Sequence, residues 1–336
     1  LSGEAAKINP RPTKAACFKN GAVEEETFSF LTGVCNVLLC NTGSSKDDAL
    51  YESIIQAGIQ STYAHHEGDA APRFDDLLRA FDRLTERKDI DPTRLRTLRD
   101  LLQKLIAGPE SRLLNEHTDI DTDGQFICYD LFGLRSYDDR VKAAVAAITM
   151  RHVRTLAFDG KPDLYKYCLL EEVANLLALG AGFRDLTIET ATTGRAHGLS
   201  LGAVTQEYDE YRRSGIAGTL NLNSTTKFLM SHKEAANAMT PIIEDMQLND
   251  TEAALFRSLK AVKGKYSELL VRTQNWSPEG GRNVTAKLRF ELSPFDYWMV
   301  TRDGQDRGKI QELERRFPHI PKAKIIEYLA YGKAAA

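Results

Sequence analysis

The stretch Lys166–Leu177, KYCLLEEVANLL, sets two adjacent carboxylates, Glu171 and Glu172, at the end of a short apolar run. A buried strand that delivers both acids into a cleft has this pattern. So does a strand that runs into a helix whose first turn takes acids because of its macrodipole. The spacing alone leaves both readings open, and the flanking sequence has to weigh them.

From about Gln125 onward the texture is strand, turn, helix. FICYDL (126–131) reads as a short apolar strand ending at Asp130. Asp138-Asp139 opens a long amphipathic helix through VKAAVAAITMRHVRTLAF. YCLLEE is the next strand and RDLTIETATTGRAHG the next helix. LSLGAVTQ (199–206) reads as a third strand, followed by a helix over 207–217, and TKFLM (226–230) as a fourth, followed by a helix over 233–246. Strands alternating with helices of this length predict parallel βαβ units with helices on both faces. YSELLVRT (266–273) and VTAKLRFEL (284–292) alternate apolar and polar residues and are expected as antiparallel edge strands. Two terminal helices, 305–317 and 321–331, close the chain.

The region from about Glu24 to His117 is helical in pattern. Phe28, Leu31, Val34, Leu38 and Leu39 recur at helical spacing, as do Leu50, Ile54, Ile55 and Ile59. Asp75-Asp76 and Asp91-Pro92-Thr93 are helix-start signals, with breaks at Gly68 to Pro72 and at Gly108-Pro109. The fold class is therefore α/β, a mostly parallel sheet with antiparallel edge strands and an inserted all-helical subdomain. The expected division is 1–22 as the start of the α/β core, 23–117 as the helical subdomain, 118–304 as the core proper and 305–336 as C-terminal helices.

Composition restricts function. Among 336 residues, 42% are hydrophobic and 27% charged, as in globular proteins, and the formal charge of −3 argues against a generally basic nucleic-acid surface. The five cysteines form no CxxC pair and no zinc spacing, so they read as small core residues in a reducing compartment. No run approaches the ~18 apolar residues of a membrane span. Leu1-Ser-Gly lacks an initiator Met and falls into what reads as mid-domain sequence, so a truncated or processed chain is expected.

In parallel α/β sheets, ligands bind at the carboxyl ends of the strands. Asp130, Glu171-Glu172 and Thr205-Gln206 occupy such ends, and on neighbouring strands they would share one crevice. An acidic pair beside a Thr-Gln suits hydrolysis of a nucleoside triphosphate. One carboxylate holds Mg²⁺, usually through water, the next polarises the attacking water, and the amide senses the γ-phosphate. The phosphate cradle is missing, because no G-x-x-x-x-G-K-[ST] occurs. CNTGSSKDD (40–48) and VKGKYS (262–267) lack its glycine spacing and its strand-to-helix context, and read as turns. Arg195, in TTGRAHGLSL, can reach phosphates of its own or a neighbouring subunit's site, or lie solvated near a helix end. His197 and His65-His66 have no metal-ligand spacing. The aromatics of SPFDYWMV (293–300) can stack a base, although core packing is the commoner use.

The order of these segments resembles the carboxyl-terminal, RecA-like part of the TraC-like pilus-assembly ATPases of type IV secretion and conjugation systems. INPRP (8–12) is similar to the segment where those enzymes enter an all-helical insertion. FICYDL, the Walker B strand at YCLLEE, TTGRAHG and the strand ending in TQ follow in order. GKYSELLVR (264–272) and LSPFDYWMVTRDGQDR (292–307) resemble the family's C-terminal stretch. The resemblance covers almost the whole chain and implies Glu172 as the catalytic carboxylate, Gln206 as the phosphate-sensing amide and Thr205 beside it. It further implies Arg195 as the arginine preceding that strand, and Glu171 in place of the usual Walker B Asp that holds Mg²⁺ through water. Glu is longer by a methylene, which changes that distance.

The family further implies Mg-ATP as cofactor, a homo-oligomer (a hexamer or dimers of it), and a cytoplasmic location, peripheral at the bacterial inner membrane. Other type IV secretion subunits are the implied partners, with DNA or protein as transported substrate. The family's Walker A lies upstream of the NP segment, so the chain alone is expected to hold nucleotide poorly. A non-catalytic assembly module and a DNA-translocating coupling-type motor are the alternatives.

Overall fold

The computed structural model describes residues 7–40, 45–120, 124–158, 164–231, 236–274 and 283–332. The chain forms two compact units, residues 1–220 and 221–336. Part of CNTGSSKDD, residues 41–44, lies outside the described residues.

The first unit opens with a helical bundle of α1 (Glu25–Leu39), α2 (Ser45–His65), α3 (Phe74–Leu84) and α4 (Pro92–Ala107). Local sequence sets the starts. Asp91 caps α4, its Oδ1 accepting the Thr93 and Arg94 N–H groups at 2.9 Å each, and Pro92 takes the first helical position, where no N–H is needed. The Arg73 N–H donates to Asp76 Oδ2 at 2.7 Å at the start of α3. Tyr63, Leu77, Phe81, Leu98 and Leu102 are fully buried where the helices meet. Gly58 lets α2 and α3 close up, since a Cβ there would lie 2.4 Å from the Phe81 ring. The INPRP segment is drawn into this bundle: the Ile8 N–H donates to the Leu113 carbonyl, Asn9 Nδ2 to the Pro72 carbonyl and the Tyr63 hydroxyl to the Pro12 carbonyl.

α5 (Asp139–Phe158) carries two apolar faces. Val141, Ala144, Val145 and Ile148 pack into the helical bundle, while Ala146 and Met150 pack into a second cluster with Leu170, Val173, Leu177 and Phe183. That second cluster lies against a parallel pair of strands, β1 (Lys166–Leu170) and β2 (Leu199–Ala203), in register from Lys166↔Leu199 to Leu170↔Ala203. α6 (Val173–Leu177) and α7 (Ala181–Thr193) connect them. Tyr167 and Leu169 project from the other face and are exposed. Gly202 accommodates the Tyr167 ring, whose hydroxyl would sit 2.2 Å from any Cβ at that position.

The second unit contains an antiparallel sheet of β3 (Thr226–Met230), β4 (Tyr266–Thr273) and β5 (Val284–Phe290), with β4 central. α8 (Asp250–Arg257) covers one face over the fully buried Leu270. Phe228, Met230, Leu288 and Phe290 lie exposed on the other. α9 (Pro294–Val300), α10 (Gly304–Arg316) and α11 (Lys322–Tyr331) follow.

Three sequence expectations are corrected. FICYDL is not a strand: residues 126–131 are irregular, Phe126 is 88% exposed, and the Tyr129 hydroxyl instead meets His152 Nδ1 at 3.3 Å. An apolar run becomes a strand only where a neighbour completes its backbone hydrogen bonds, and among the described residues none does. TKFLM does form a strand, but it pairs antiparallel with β4 rather than parallel. The SPFDYWMV aromatics do not pack into a core. They lie on α9, which buries no residue; the Tyr297 hydroxyl donates to Asp306 and Lys309 lies over the Trp298 ring.

Phe81→Ala should cost about 3–5 kcal/mol in a denaturant titration of the chain, because it opens a cavity that the close α2–α3 contact cannot collapse to fill. The cysteines give a second test. Cys128 is exposed, whereas Cys17, Cys35 and Cys40 are buried, and burial pushes the Cys168 thiol up to about 11. At pH 8 only roughly one Cys168 in a thousand is thiolate. Ellman's reagent should therefore titrate Cys128 rapidly and the other four only after denaturation.

Candidate functional site at the strand ends

The β1–β2 register continues past the strands themselves. The Val204 N–H donates to the Leu170 carbonyl at 2.9 Å, and the Val173 N–H donates back to the Val204 carbonyl at 2.8 Å. These two bonds fix the strand exits side by side, and Glu171 and Glu172 lie between the bonded residues.

Glu172 adopts a left-handed conformation, φ 53° and ψ 53°, before α6 begins. For a residue with a Cβ that geometry costs about 1–3 kcal/mol. The bonded Val173 N–H and the burial of Val173, Ala174 and Leu177 hold it there. The turn carries the Glu172 side chain to the other strand exit. Its Oε1 accepts the Gln206 N–H at 3.2 Å and lies 3.3 Å from Thr205 Oγ1, which can donate to it. The Thr205 hydroxyl has one proton and a second acceptor, the Glu207 carbonyl at 3.3 Å, so it can serve either. The Glu207 N–H in turn donates to Thr205 Oγ1 at 3.2 Å.

This geometry separates the two readings of the acidic pair. Glu172 occupies the N-cap position of α6 but makes no side-chain cap hydrogen bond. Its carboxylate bonds across to β2's exit instead, and Glu171 is exposed beside it. Gln206 is also exposed, with its backbone bonded to Glu172 and its side chain at the surface.

Arg195 is not part of this constellation. It is exposed on a single 3-10 turn, Gly194–His197, immediately before β2. The length of β2, about 16 Å at ~3.3 Å for each residue, separates its turn from the strand exit where Gln206 lies. Asp130 lies on the irregular 126–131 segment and not at a strand end. His197 also sits at the strand entrance, stacked on Phe158 with ring centroids 4.1 Å apart.

The sequence placed Thr205 and Glu172 near one another but not the bond between them. They are 33 residues apart, and only the parallel register brings them together. No spacing rule carries that information.

The donor set fits Mg²⁺ in the manner that cation prefers, with one or two carboxylates and the remaining positions left to water and phosphate. Glu171 and Glu172 supply such carboxylates. Among the described residues there is no group of three His, Cys, Asp or Glu that would hold a metal without phosphate. The backbone nest that would hold a triphosphate has no counterpart in this sequence.

No protein-family model and no curated protein matches the chain. Solved structures do. VirB4 of Thermoanaerobacter pseudethanolicus superposes with a TM-score of 0.63 over 86% of this chain and 75% of that one, at 19% identity. The bacterial conjugative coupling protein TrwBdeltaN70, in its unbound monoclinic form, gives a TM-score of 0.37 at 13% identity, over 85% of this chain and 66% of that one. The chain thus has a mixed α/β, RecA-like fold shared with VirB4.

Proposed function

We propose that this chain is the carboxyl-terminal part of an ATP-hydrolysing motor subunit of a type IV secretion or conjugation apparatus, of the TraC-like kind. The observation that carries this reading is the meeting of Glu172 with Thr205 and Gln206 at the exits of two parallel strands. The fold shared with VirB4 supports it.

In this reading Glu172 orients and deprotonates the attacking water. Its carboxylate is acceptor-only when ionised, and it is aimed by two donors and a constrained backbone. Gln206 offers an exposed side-chain amide beside it, suited to contact the terminal phosphate. Glu171 would hold Mg²⁺ through water, and the cation would supply charge neutralisation on the phosphates. In this reading Arg195, which precedes the entrance of β2, serves a neighbouring copy's site rather than its own, and a hexamer at the inner-membrane face is the assembly this reading predicts. Among the described residues no helix is long and apolar enough to cross a membrane.

The missing Walker A motif favours a second reading, an assembly module that keeps the fold without turnover. The motor reading needs that cradle from residues beyond this sequence, and the gene product that carries them is the protein to assay. Glu172→Gln should lower its kcat by 100-fold or more, on the order expected for loss of a general base, with nucleotide affinity changed less than about threefold. Undiminished hydrolysis by that variant would overturn the assignment. A gene product with no P-loop and no heat on titration with Mg-ATP would establish the assembly module.

A further inference from the structure

A groove of about 650 Å³ lies in the first unit, away from the Glu172 crevice. Its walls come from the INPRP segment, the start of α1, the carboxyl-terminal half of α5 and the end of α7. Thr193 and His197, which line it, precede β2, so the groove borders the strand entrances, whereas Glu172 lies at the exits. A volume of this size suits a nucleotide-sized molecule.

Three guanidinium groups line it, those of Arg11, Arg151 and Arg154, and each lies over an aromatic ring: Phe74 at 4.0 Å, Phe30 at 4.7 Å and Phe158 at 4.8 Å. Arg151 and Arg154 are one helical turn apart and share a face of α5. Both donate to a single carboxylate oxygen, Glu26 Oε1, at 3.0 and 2.6 Å. Arg154 also donates to Glu189.

Two guanidinium nitrogens of the groove lack a partner among the described residues. Arg154 Nε and Arg11 Nη1 are buried with no hydrogen-bond partner among the described residues, and Arg11 is only 4% exposed. A buried donor left unmade costs the full desolvation of the group, and although Arg99 Nε and Arg272 Nε elsewhere share that state, these two line one groove that an added acceptor could enter. The counter-ion is placed differently from the arginines. The Glu26 side chain is 59% exposed, whereas those of Arg151 and Arg154 are 19% and 15% exposed. An exposed carboxylate on two sheltered forks can swing into water while the forks stay fixed.

We propose that this groove is a binding site for the phosphoryl group of a nucleotide-sized ligand, with Glu26 as the internal anion that the ligand displaces. Arginine forks match phosphate oxygens bidentately, and a phosphoryl group brings three acceptors where the two arginines now share one oxygen, Glu26 Oε1, beside Thr27 for Arg151 and Glu189 for Arg154. Glu24 and Glu189 also line the groove and oppose the ligand's charge. They limit affinity and make the Glu26 exchange the decisive step. The site does not depend on the motor reading, because neither Glu172 nor Gln206 takes part.

Calorimetric titration of the chain with sodium pyrophosphate, and separately with AMP, tests this in EDTA so that no divalent ion contributes. Saturable binding of at least one probe is expected. AMP binding more tightly assigns a nucleoside phosphate, and equal binding assigns the phosphoryl group alone. Arg151→Ala and Arg154→Ala should each weaken binding about tenfold or more, as for loss of a charged hydrogen bond. Glu26→Gln should strengthen it several-fold, and this gain holds the test open if an arginine variant fails to fold. Absence of binding by both the parent chain and Glu26→Gln overturns the proposal. So does affinity unchanged in folded arginine variants, or lowered in Glu26→Gln.

Discussion

Two backbone hydrogen bonds beyond the end of the parallel pair fix the geometry of the strand exits in the first unit: Val204 N–H to the Leu170 carbonyl and Val173 N–H to the Val204 carbonyl. They tie the two strand exits before the chains diverge. With the exits tied, Glu172 must absorb the turn into α6, and it does so in a left-handed conformation that a residue with a side chain adopts at a cost. The burial of Val173 and Leu177 offsets that cost, so packing under α6 maintains the aim of a carboxylate at the surface above it. A loss of core volume there would be felt as a change in geometry at Glu172 before the fold itself failed.

α5 connects this pair to the rest of the unit. One of its faces belongs to the helical bundle and another to the cluster against the strands. A helix buried on two sides leaves only a narrow strip for charge, and Arg151 and Arg154 occupy that strip. Their neighbours along the helix, Ile148 and Met150, are buried, which leaves the arginine stems little freedom. The Glu26 contact also joins α1 to α5, so the ion cluster both braces the bundle against the α/β layer and lines the groove.

The helices of the bundle were legible because each carries its own instructions. Asp91-Pro92 marks a start whatever surrounds it, and the 3.6-residue apolar period marks a buried face. The strand exits were legible in part. The apolar run and acids at 167–172 identify a strand and its end, but the partner across the ladder is a tertiary fact. FICYDL shows the limit: it has the same composition as a strand, and no strand among the described residues completes it. TKFLM shows another, since five residues cannot encode whether the adjacent strand runs parallel or antiparallel. The Arg151/Arg154/Glu26 cluster gave no signal, because Glu26 reads as an ordinary first-turn acid and the arginines as solvated helix charges. Their meeting requires two helices 125 residues apart to pack.

Charge is distributed unequally along the strand pair, and that inequality alone does not establish chemistry. α5 and α7 run back to the strand entrances, so their carboxyl ends bring partial negative charge to the end where Arg151, Arg154 and Arg195 gather. The acids Glu171 and Glu172 stand at the exit where α6 begins, which the same dipole rule favours. Glu172 does not cap α6 and reaches across to Thr205 and Gln206. Among the described residues Arg154 Nε has no partner although the guanidinium already holds two carboxylates. In both places the side chain is constrained beyond what packing or the dipole requires while part of its bonding capacity is left for something else, and it is that surplus, not the sign of the charge, that makes the two ends of the strand pair candidate sites.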